Sequence, residues 1–286
     1  MFLTRVIKNT NYLWRSIATS AVTKCQSNSN QLVIVDINDK TGYATLSLNR
    51  PPANSFNLEQ LVAFSKALDD IEKSKVKGMI LTSNVPKIFS VGFDVREFNS
   101  SDENRLREFW TVVQDCWLKL YGSYYPTAAA ITGHNPAGGC FFSMSCEYRV
   151  MVSKSKIGLS GARLGIAIPL PIILSMRSIL SPHATELAIT TGKLFTTEEA
   201  LKIGLIDEIA EDKEDALRKC ERFLDRFKKI PPNARALTKQ AIRKKELDEI
   251  ANNRKRDVDE FIAAVTSHEA KESFEIFLDP SKYKEN

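Results

Sequence analysis

Two glycine-containing loops of this sequence are placed to direct backbone N–H groups at a single oxygen atom. The first is FSVGFD, residues 89–94, and the second is GHNPAGGC, residues 133–140. Each loop precedes a predicted helix, whose N-terminus adds the positive end of its dipole. Two preorganised donors stabilise the negative charge that develops when a carbonyl compound is enolised. The predicted donors are the N–H groups of Phe93 and Gly138.

The elements that must position these loops alternate between strands and helices. QLVIVDIN and YATLSLN, separated by the turn-like DKTG, predict a hairpin. A helix over 57–71, the buried strand GMILTSN and a long amphipathic helix capped by Asp102 are predicted next. The strand TAAAITG then leads to a helix that begins at Gly138, and YRVMVS predicts a further strand. This order predicts an α/β fold with a largely parallel sheet, and a helical chain from about Pro182 onward.

Composition sets limits on the class of protein. The chain has 286 residues, of which 43% are hydrophobic and 26% charged, which fits a folded domain and excludes disordered and fibrous classes. No run approaches the roughly 18 apolar residues of a membrane-spanning helix. Residues 1–28 contain four cations and no acidic residue, which predicts a mitochondrial transit peptide; a disordered tail is the alternative. Without this segment the formal net charge falls from +5 to +1, so no nucleic-acid partner is predicted.

Cysteine and histidine spacing does not indicate a metal site. The five cysteines include no C-x-x-C pair, and reduced thiols are expected. His134, His183 and His268 are scattered along the chain. We therefore predict neither a metal nor a separate cofactor.

The two loops and their flanking motifs resemble the crotonase (enoyl-CoA hydratase/isomerase) superfamily, and within it the mitochondrial 3,2-trans-enoyl-CoA isomerases. The resemblance covers roughly residues 33–280 and rests on LNRPPANSFNLEQL, GMILTSNVPKIFSVGFDVREF, ITGHNPAGGCFFSMSCEYR, LGIAIP and LFTTEEALKIGLIDEI. It implies a spiral core of β-β-α repeats over 29–227. It also implies a C-terminal helical region over 228–286 that completes an acyl site and builds a homotrimer. Coenzyme A would then be part of the substrate.

The resemblance also implies roles for individual residues. Ser90, Val91, Gly92, Phe93 and Asp94 would line the CoA pantetheine and carbonyl region, while Phe93 and Gly138 would supply the oxyanion hole. For Asp94 a helix-capping role is favoured over a catalytic one.

Two positions depart from the pattern of the superfamily. Hydratases carry a glutamate directly after the GGC triplet, where this chain has Phe141, so hydration is not expected. Hydratases and isomerases carry a second glutamate four residues before the glycine of the LG pair. Counting back from Gly165 gives Gly161, so the usual proton-transferring carboxylate is absent.

Several functions and several replacements for the base stay open. The first hypothesis is a mitochondrial-matrix isomerase that shifts a 3-enoyl-CoA double bond to the 2-trans position in unsaturated fatty acid β-oxidation. A non-catalytic acyl-CoA-binding homologue and another crotonase-type reaction are the alternatives. Candidate replacements are Ser160, Arg163, Glu97 and His134, or a water or small anion beside Gly161. Glu97 is expected to be an exposed helix-face carboxylate.

Overall fold

A six-stranded sheet is the largest β element of the fold. The computed structural model describes residues 31–99, 102–279 and 281, so the predicted transit peptide lies outside the described residues. The strands are β1 (Val33–Asn38), β2 (Tyr43–Leu48), β3 (Ser55–Phe56), β4 (Gly78–Ser83), β5 (Lys87–Ile88), β6 (Gly92–Phe93), β7 (Thr127–Ile131), β8 (Gly133–Pro136), β9 (Tyr148–Val152), β10 (Lys156–Gly158), β11 (Leu194–Thr196) and β12 (Glu208–Ala210).

Helices connect these strands and dominate the second half of the chain. They are α1 (Leu58–Lys73), α2 (Val95–Phe98), α3 (Glu103–Tyr121), α4 (Gly138–Ser145), α5 (Leu170–Arg177), α6 (Pro182–Thr190), α7 (Thr197–Ile203), α8 (Lys213–Asp225), α9 (Pro232–Asn252), α10 (Arg254–Val265) and α11 (His268–Leu278), and a 3₁₀ helix spans Gly161–Leu164. Asp102 caps α3, as the sequence predicts, and Asn57, predicted as the first residue of its helix, is the cap of α1.

The order of strands in the large sheet is β1-β2-β4-β7-β9-β12. The β1–β2 pair is antiparallel and the other pairs are parallel, which confirms the predicted hairpin and the largely parallel sheet. A second sheet has the order β11-β10-β8-β5, and β3 pairs with β6. The chain after Pro182 is not wholly helical, because β11 and β12 interrupt it. Each of these strands has three residues, too few to show a period-two pattern.

The two faces of the large sheet pack against different layers, since successive side chains of a strand point to opposite faces. On β4, Met79 and Leu81 join the main core that contains α1 and α3, whereas Ile80 joins a second cluster. Three residues of α8 cover that second cluster: Ala216, Cys220 and Leu224. All six residues of β4 are buried, as expected for a central parallel strand covered on both faces.

Helix α10 is fastened to α3 by a buried carboxylate and by stacked rings. Asp257 of α10 accepts hydrogen bonds from Trp110 Nε1 and Gln114 Nε2, both at 2.7 Å. The rings of Trp110 and Phe261 stack with centroids 4.1 Å apart and planes within 9°. The apolar face of the amphipathic helix α3 is therefore core, and it also holds α10 in place.

A buried ion cluster fastens α9 to the sheet. Glu147 Oε2 accepts hydrogen bonds from the Thr127 N–H and from Lys239 Nζ, both at 3.0 Å, and Oε1 accepts one from Arg235 Nη2. Lys239 Nζ also donates to Ser123 Oγ at 2.8 Å. Burial lowers the pKa of Lys239 to about 8. Burial acts to raise the pKa of Glu147, but Lys239 and Arg235 outweigh it and hold that pKa below its ordinary value.

Three further observations concern helix hydrophobicity, exposed surface and thiols in the described part of the chain. No helix there is long and apolar enough to cross a membrane. Leu237 and Ile242 on α9 are 67% and 75% exposed, unlike the buried Phe261 and Phe274 of α10 and α11. The four cysteines described, Cys116, Cys140, Cys146 and Cys220, are free and buried.

Candidate active site

The backbone N–H of Phe93 points away from its neighbouring strand. Strand β6 pairs in parallel with β3, and the N–H of the next residue, Asp94, donates to the carbonyl of Phe56 at 2.9 Å. Because successive N–H groups of a strand point to opposite sides, the Phe93 N–H is directed away from β3. The Phe93 ring makes edge contacts with Phe109 and Trp110 at centroid distances of 5.6 and 6.0 Å. These contacts fix the position of the amide.

The second donor lies directly beside the first. Gly138 is the first residue of α4, and the first N–H groups of a helix have no carbonyl of a preceding turn to bind. A Cβ atom at Gly138 would lie 3.1 Å from Phe93 N, so the two amides are neighbours. Their approach requires glycine at position 92. Its φ is +99°, and a Cβ there would lie 2.7 Å from the Cβ of Ala137.

Ser90 holds the first loop in this geometry. Its buried hydroxyl donates to the carbonyl of Asn54 at 2.7 Å and accepts the N–H of Gly92 at 3.0 Å. Both bonds are made inside the protein, where an unpaired polar group is costly. Ser90 is therefore a positioning residue for the Phe93 amide.

Replacing Ser90 with alanine should leave the Asn54 carbonyl and the Gly92 N–H without this partner. We expect a loss of about 1–3 kcal/mol in the free energy of unfolding. Urea denaturation of Ser90→Ala measures it, with Ser74→Ala as a control, because the Ser74 hydroxyl bonds a carbonyl on an exposed helix end. An equal, small effect in both variants would contradict the positioning role.

A cavity of about 380 Å³ opens in front of the two amides. Val91, Phe93, Asp94, Gly138 and Gly161 all line it, so the structure brings together five of the residues singled out from the sequence. Ser90 and Gly92 are not among the lining residues and act on the loop instead; direct binding by these two stays a prediction. Most of the remaining wall is apolar and includes Leu164, Ile166, Ile168, Ile172, Phe261, Val265, Phe277 and Leu278.

Asp94 contributes a carboxylate to the lining of this cavity. Its side chain is paired with the arginines Arg50 and Arg96 and accepts a hydrogen bond from a hydroxyl. Its side chain caps α2 by accepting the N–H of Arg96. It also accepts bonds from Arg96 Nη2 at 2.7 Å and Ser55 Oγ at 3.1 Å. Burial acts to raise the pKa of Asp94, but these bonds outweigh it and hold the pKa below its ordinary value. A carboxylate so stabilised is a weak base, which agrees with the predicted capping role.

The position of the absent glutamate faces the same cavity. Gly161 begins the 3₁₀ helix and lines the cavity together with Ser160. The Ser160 hydroxyl oxygen is buried and has no hydrogen-bond partner among the described residues. A Cβ atom at Gly161 would lie 2.5 Å from Ile168 Cδ1. An isoleucine methyl group, rather than open space, therefore stands next to Gly161.

The other three candidate bases do not line the cavity. His134 Nδ1 accepts the N–H of Lys156 at 3.2 Å, and burial together with Lys156 lowers the pKa of His134. Arg163 Nε donates to the carbonyl of Thr191 at 3.2 Å. The expectation that Glu97 is exposed is wrong. Glu97 is 6% exposed and binds Arg105, which a helical pattern in the sequence does not reveal.

Phe141 lies at the second position that departs from the superfamily pattern, directly after the GGC triplet. It is fully buried in α4, and its ring lies 5.0 Å from that of Phe142 and 6.5 Å from that of Phe93. The side chain belongs to the aromatic core beneath the oxyanion donors. It offers no acid or base for the activation of water.

The sequence alone did not identify several lining residues. Trp110 and Phe261 are core residues that also face the cavity. Ile168 carried no signal beyond its place in the apolar LGIAIP motif. Among the described residues no group of three or more His, Cys, Asp or Glu side chains is arranged to hold a metal ion. The expectation that the protein needs no metal stays a prediction.

Comparisons with known proteins agree with this geometry. The profile of the enoyl-CoA hydratase/isomerase family matches residues 38–286. The mitochondrial enoyl-CoA delta isomerase 1 of Rattus norvegicus is 35% identical over 259 residues, which cover 90% of this chain and 89% of the rat protein. The crystal structure of human mitochondrial delta3-delta2-enoyl-CoA isomerase matches with a TM-score of 0.84 and 31% identity, over 88% of this chain and 98% of the human one. An enoyl-CoA hydratase from Bacillus halodurans matches with a TM-score of 0.77 and 25% identity, over 85% and 99% of the two chains.

Proposed function

The chain belongs to the enoyl-CoA hydratase/isomerase (crotonase) family, and from this premise we propose that it is an enoyl-CoA isomerase-type protein of the mitochondrial matrix. The family acts on acyl-CoA thioesters. In the proposed reaction a 3-enoyl-CoA is converted to its 2-trans isomer during oxidation of unsaturated fatty acids. The observation that carries the proposal is the contact between the Phe93 amide and Gly138 at the mouth of an apolar cavity.

The two amides bind the thioester carbonyl oxygen in this proposal. Loss of a proton from carbon 2 gives a dienolate, and return of a proton at carbon 4 completes the shift. One oxyanion-hole donor contributes about 10²–10³-fold to turnover. The acyl chain follows the apolar wall that α10 and α11 supply through Phe261, Val265 and Phe277.

We expect slow conversion of a 3-enoyl-CoA by the purified protein. General acid/base help contributes ~10²–10⁴-fold, and the carboxylate that usually provides it is replaced by Gly161. The measurement follows the ultraviolet absorbance of the conjugated 2-enoyl thioester, with the rat relative assayed beside it. The expected rate is lower than that of the relative by this factor. Calorimetric titration with a saturated acyl-CoA measures binding separately, and a protein that binds no acyl-CoA would overturn the proposal.

A non-catalytic acyl-CoA-binding or assembly protein is the second candidate. Two observations favour it. The side chain next to Gly161 is the apolar Ile168, which carries no acid or base, and neither Asp94 nor Ser160 replaces the missing base well. Binding without any conversion, and with full activity in the rat relative, would select this candidate. Another crotonase-type reaction, such as hydrolysis or decarboxylation, is recognised by its products when a panel of acyl-CoAs is supplied.

The same proposal includes a location and an assembly. The matrix location is supported by the cationic, acid-free residues 1–28 and by the word mitochondrial in the names of the rat and human relatives. A homotrimer is supported by the exposed Leu237 and Ile242 on α9, which provide apolar surface for a second copy of the chain.

A further inference from the structure

The place where a side chain at position 161 would begin is taken by Ile168. A Cβ atom at Gly161 would lie 2.5 Å from Ile168 Cδ1, closer than carbon atoms approach without a shift. The next nearest atoms are the carbonyl oxygen and Cβ of Ile166, at ordinary distances of 3.7 and 3.8 Å. A single methyl group is therefore the obstacle.

The backbone around this contact is fixed, and it does not itself demand glycine. The N–H of Ile166 donates to the carbonyl of Gly161 at 3.1 Å, which ties the 3₁₀ helix to the segment that carries Ile168. Gly161 does not have a left-handed φ, so alanine fits its backbone. The obstructing atom is the terminal Cδ1 methyl group of Ile168, whose position depends on χ2 as well as on the stiff χ1, so the packing of the surrounding wall decides whether it withdraws.

The surroundings of the contact offer little to an ion or a water molecule. Leu159 and Leu164, which flank Gly161 in the sequence, line the same cavity, and the polar side chain next to Gly161 along the chain is the buried Ser160. A carboxylate placed among such groups has a raised pKa, and an enclosed water finds few partners.

We propose that Gly161 and Ile168 form one packing unit, in which Ile168 fills the acid/base position of the cavity and keeps carboxylates, water and small anions out of it. Ile168 thereby determines what chemistry the cavity supports. A glutamate at position 161 acts as a base only when residue 168 is also small. This inference rests on the proposed function, since it assumes that a 3-enoyl thioester lies against this wall.

A double-mutant cycle in thermal stability tests the packing unit without any activity assay. The four proteins are wild type, Gly161→Ala, Ile168→Ala and the double variant. An alanine that fits its backbone restricts the unfolded chain and so stabilises, but here it meets the Ile168 methyl group. We expect the Tm change caused by Gly161→Ala to be more positive, by about 2 °C or more, in the Ile168→Ala background than in the wild-type background. The matched control is Ile166→Ala, which removes the same atoms from the same cavity and should show no such coupling. A Tm effect independent of residue 168 would overturn the packing unit.

Isomerisation assays test the chemical consequence. Ile168→Ala should respond to sodium formate as an external base with a rate increase of about 10-fold or more, whereas wild type and Ile166→Ala should not respond. Gly161→Glu should gain little, while Gly161→Glu with Ile168→Ala should exceed wild type by ~10²-fold or more. The rate of that double variant should rise with pH as the introduced carboxylate ionises. Equal formate responses in all three proteins, or a full gain from Gly161→Glu without the second change, would overturn the inference.

Binding separates failure of this inference from failure of the proposed function. Each variant is titrated with a saturated acyl-CoA in a calorimeter. If wild type and all variants fail to bind, the proposed function fails, and the Tm cycle alone decides on the packing unit. If they bind and the cycle shows coupling but the double variant is inactive, Ile168 fills the position without controlling the chemistry, which also overturns the inference.

Discussion

Replacing Gly138 with alanine is expected to lower kcat/KM for a 3-enoyl-CoA by ~10²–10³-fold. The new Cβ would lie 3.1 Å from Phe93 N and at the same distance from Cδ1 and Cε1 of its ring. A methyl group there stands between the two donors, where the thioester oxygen is proposed to bind. Because the oxyanion of the transition state needs both donors at hydrogen-bond distance, we expect its stabilisation to fall more than the affinity for acyl-CoA. Steady-state kinetics and acyl-CoA titration of Gly138→Ala measure the two effects.

Gly204→Ala is the matched control for this prediction. Gly204 ends α7 with a φ of +81°, and a Cβ there would meet no atom within 4 Å. We expect a modest loss of stability from the strained φ and no change in kcat/KM. If Gly138→Ala keeps a native circular-dichroism spectrum and an unchanged kcat/KM, the two amides do not form the oxyanion hole.

Replacing Glu147 with alanine is expected to reduce the free energy of unfolding by about 3–5 kcal/mol. The Lys239 and Arg235 side chains are 6% and 10% exposed, and Glu147 is the carboxylate that pairs with both. Its removal leaves two buried cations without that counter-charge and the Thr127 N–H without its carboxylate partner. The free-energy cost of a buried charge without a partner is larger than the stabilisation that an exposed ion pair provides. Urea denaturation at neutral pH measures the loss.

Two further variants make the result specific to the buried cluster. Glu260→Ala removes a carboxylate that pairs with Arg256 and whose side chain is 54% exposed, so its effect should stay below about 1 kcal/mol. Adding Lys239→Met to Glu147→Ala removes one of the orphaned cations and should recover part of the stability. A similar loss for Glu147→Ala and Glu260→Ala would show that the buried cluster does not stabilise the fold.

The elements around the oxyanion donors are predictable from sequence because their signals are local. Asn57, Asp102 and Thr196 cap helices where their side chains suggest, and Thr196 forms a capping box with Glu199. The two glycine loops each precede a helix, and the family resemblance pairs them. The contact of Phe93 with Gly138 is a tertiary one: the loops made these two residues candidate donors, and the family resemblance supported their pairing.

The rest of the candidate site depends on contacts between segments that are distant in sequence. The four residues of α2 are too few to show which face is buried, and they do not reveal that Glu97 pairs with Arg105 of α3. The glycine at position 161 suggests empty space, but a nearby isoleucine side chain occupies it. His134 looks close to the second loop along the chain, yet its Nδ1 accepts a bond from Lys156 and it does not line the cavity.

The fastening of α10 to α3 also sets the order in which this pocket is assembled. Trp110 and Asp257 are separated by 147 positions in the sequence, so this contact cannot form before α10 has been synthesised. A nascent chain that has not yet produced α10 already contains both oxyanion donors. It lacks Phe261, so the face of Trp110 that this ring covers is open to water. The apolar wall that Phe261, Val265 and Phe277 supply is therefore added only when synthesis is nearly complete, and aromatic surface exposed until then is prone to aggregation.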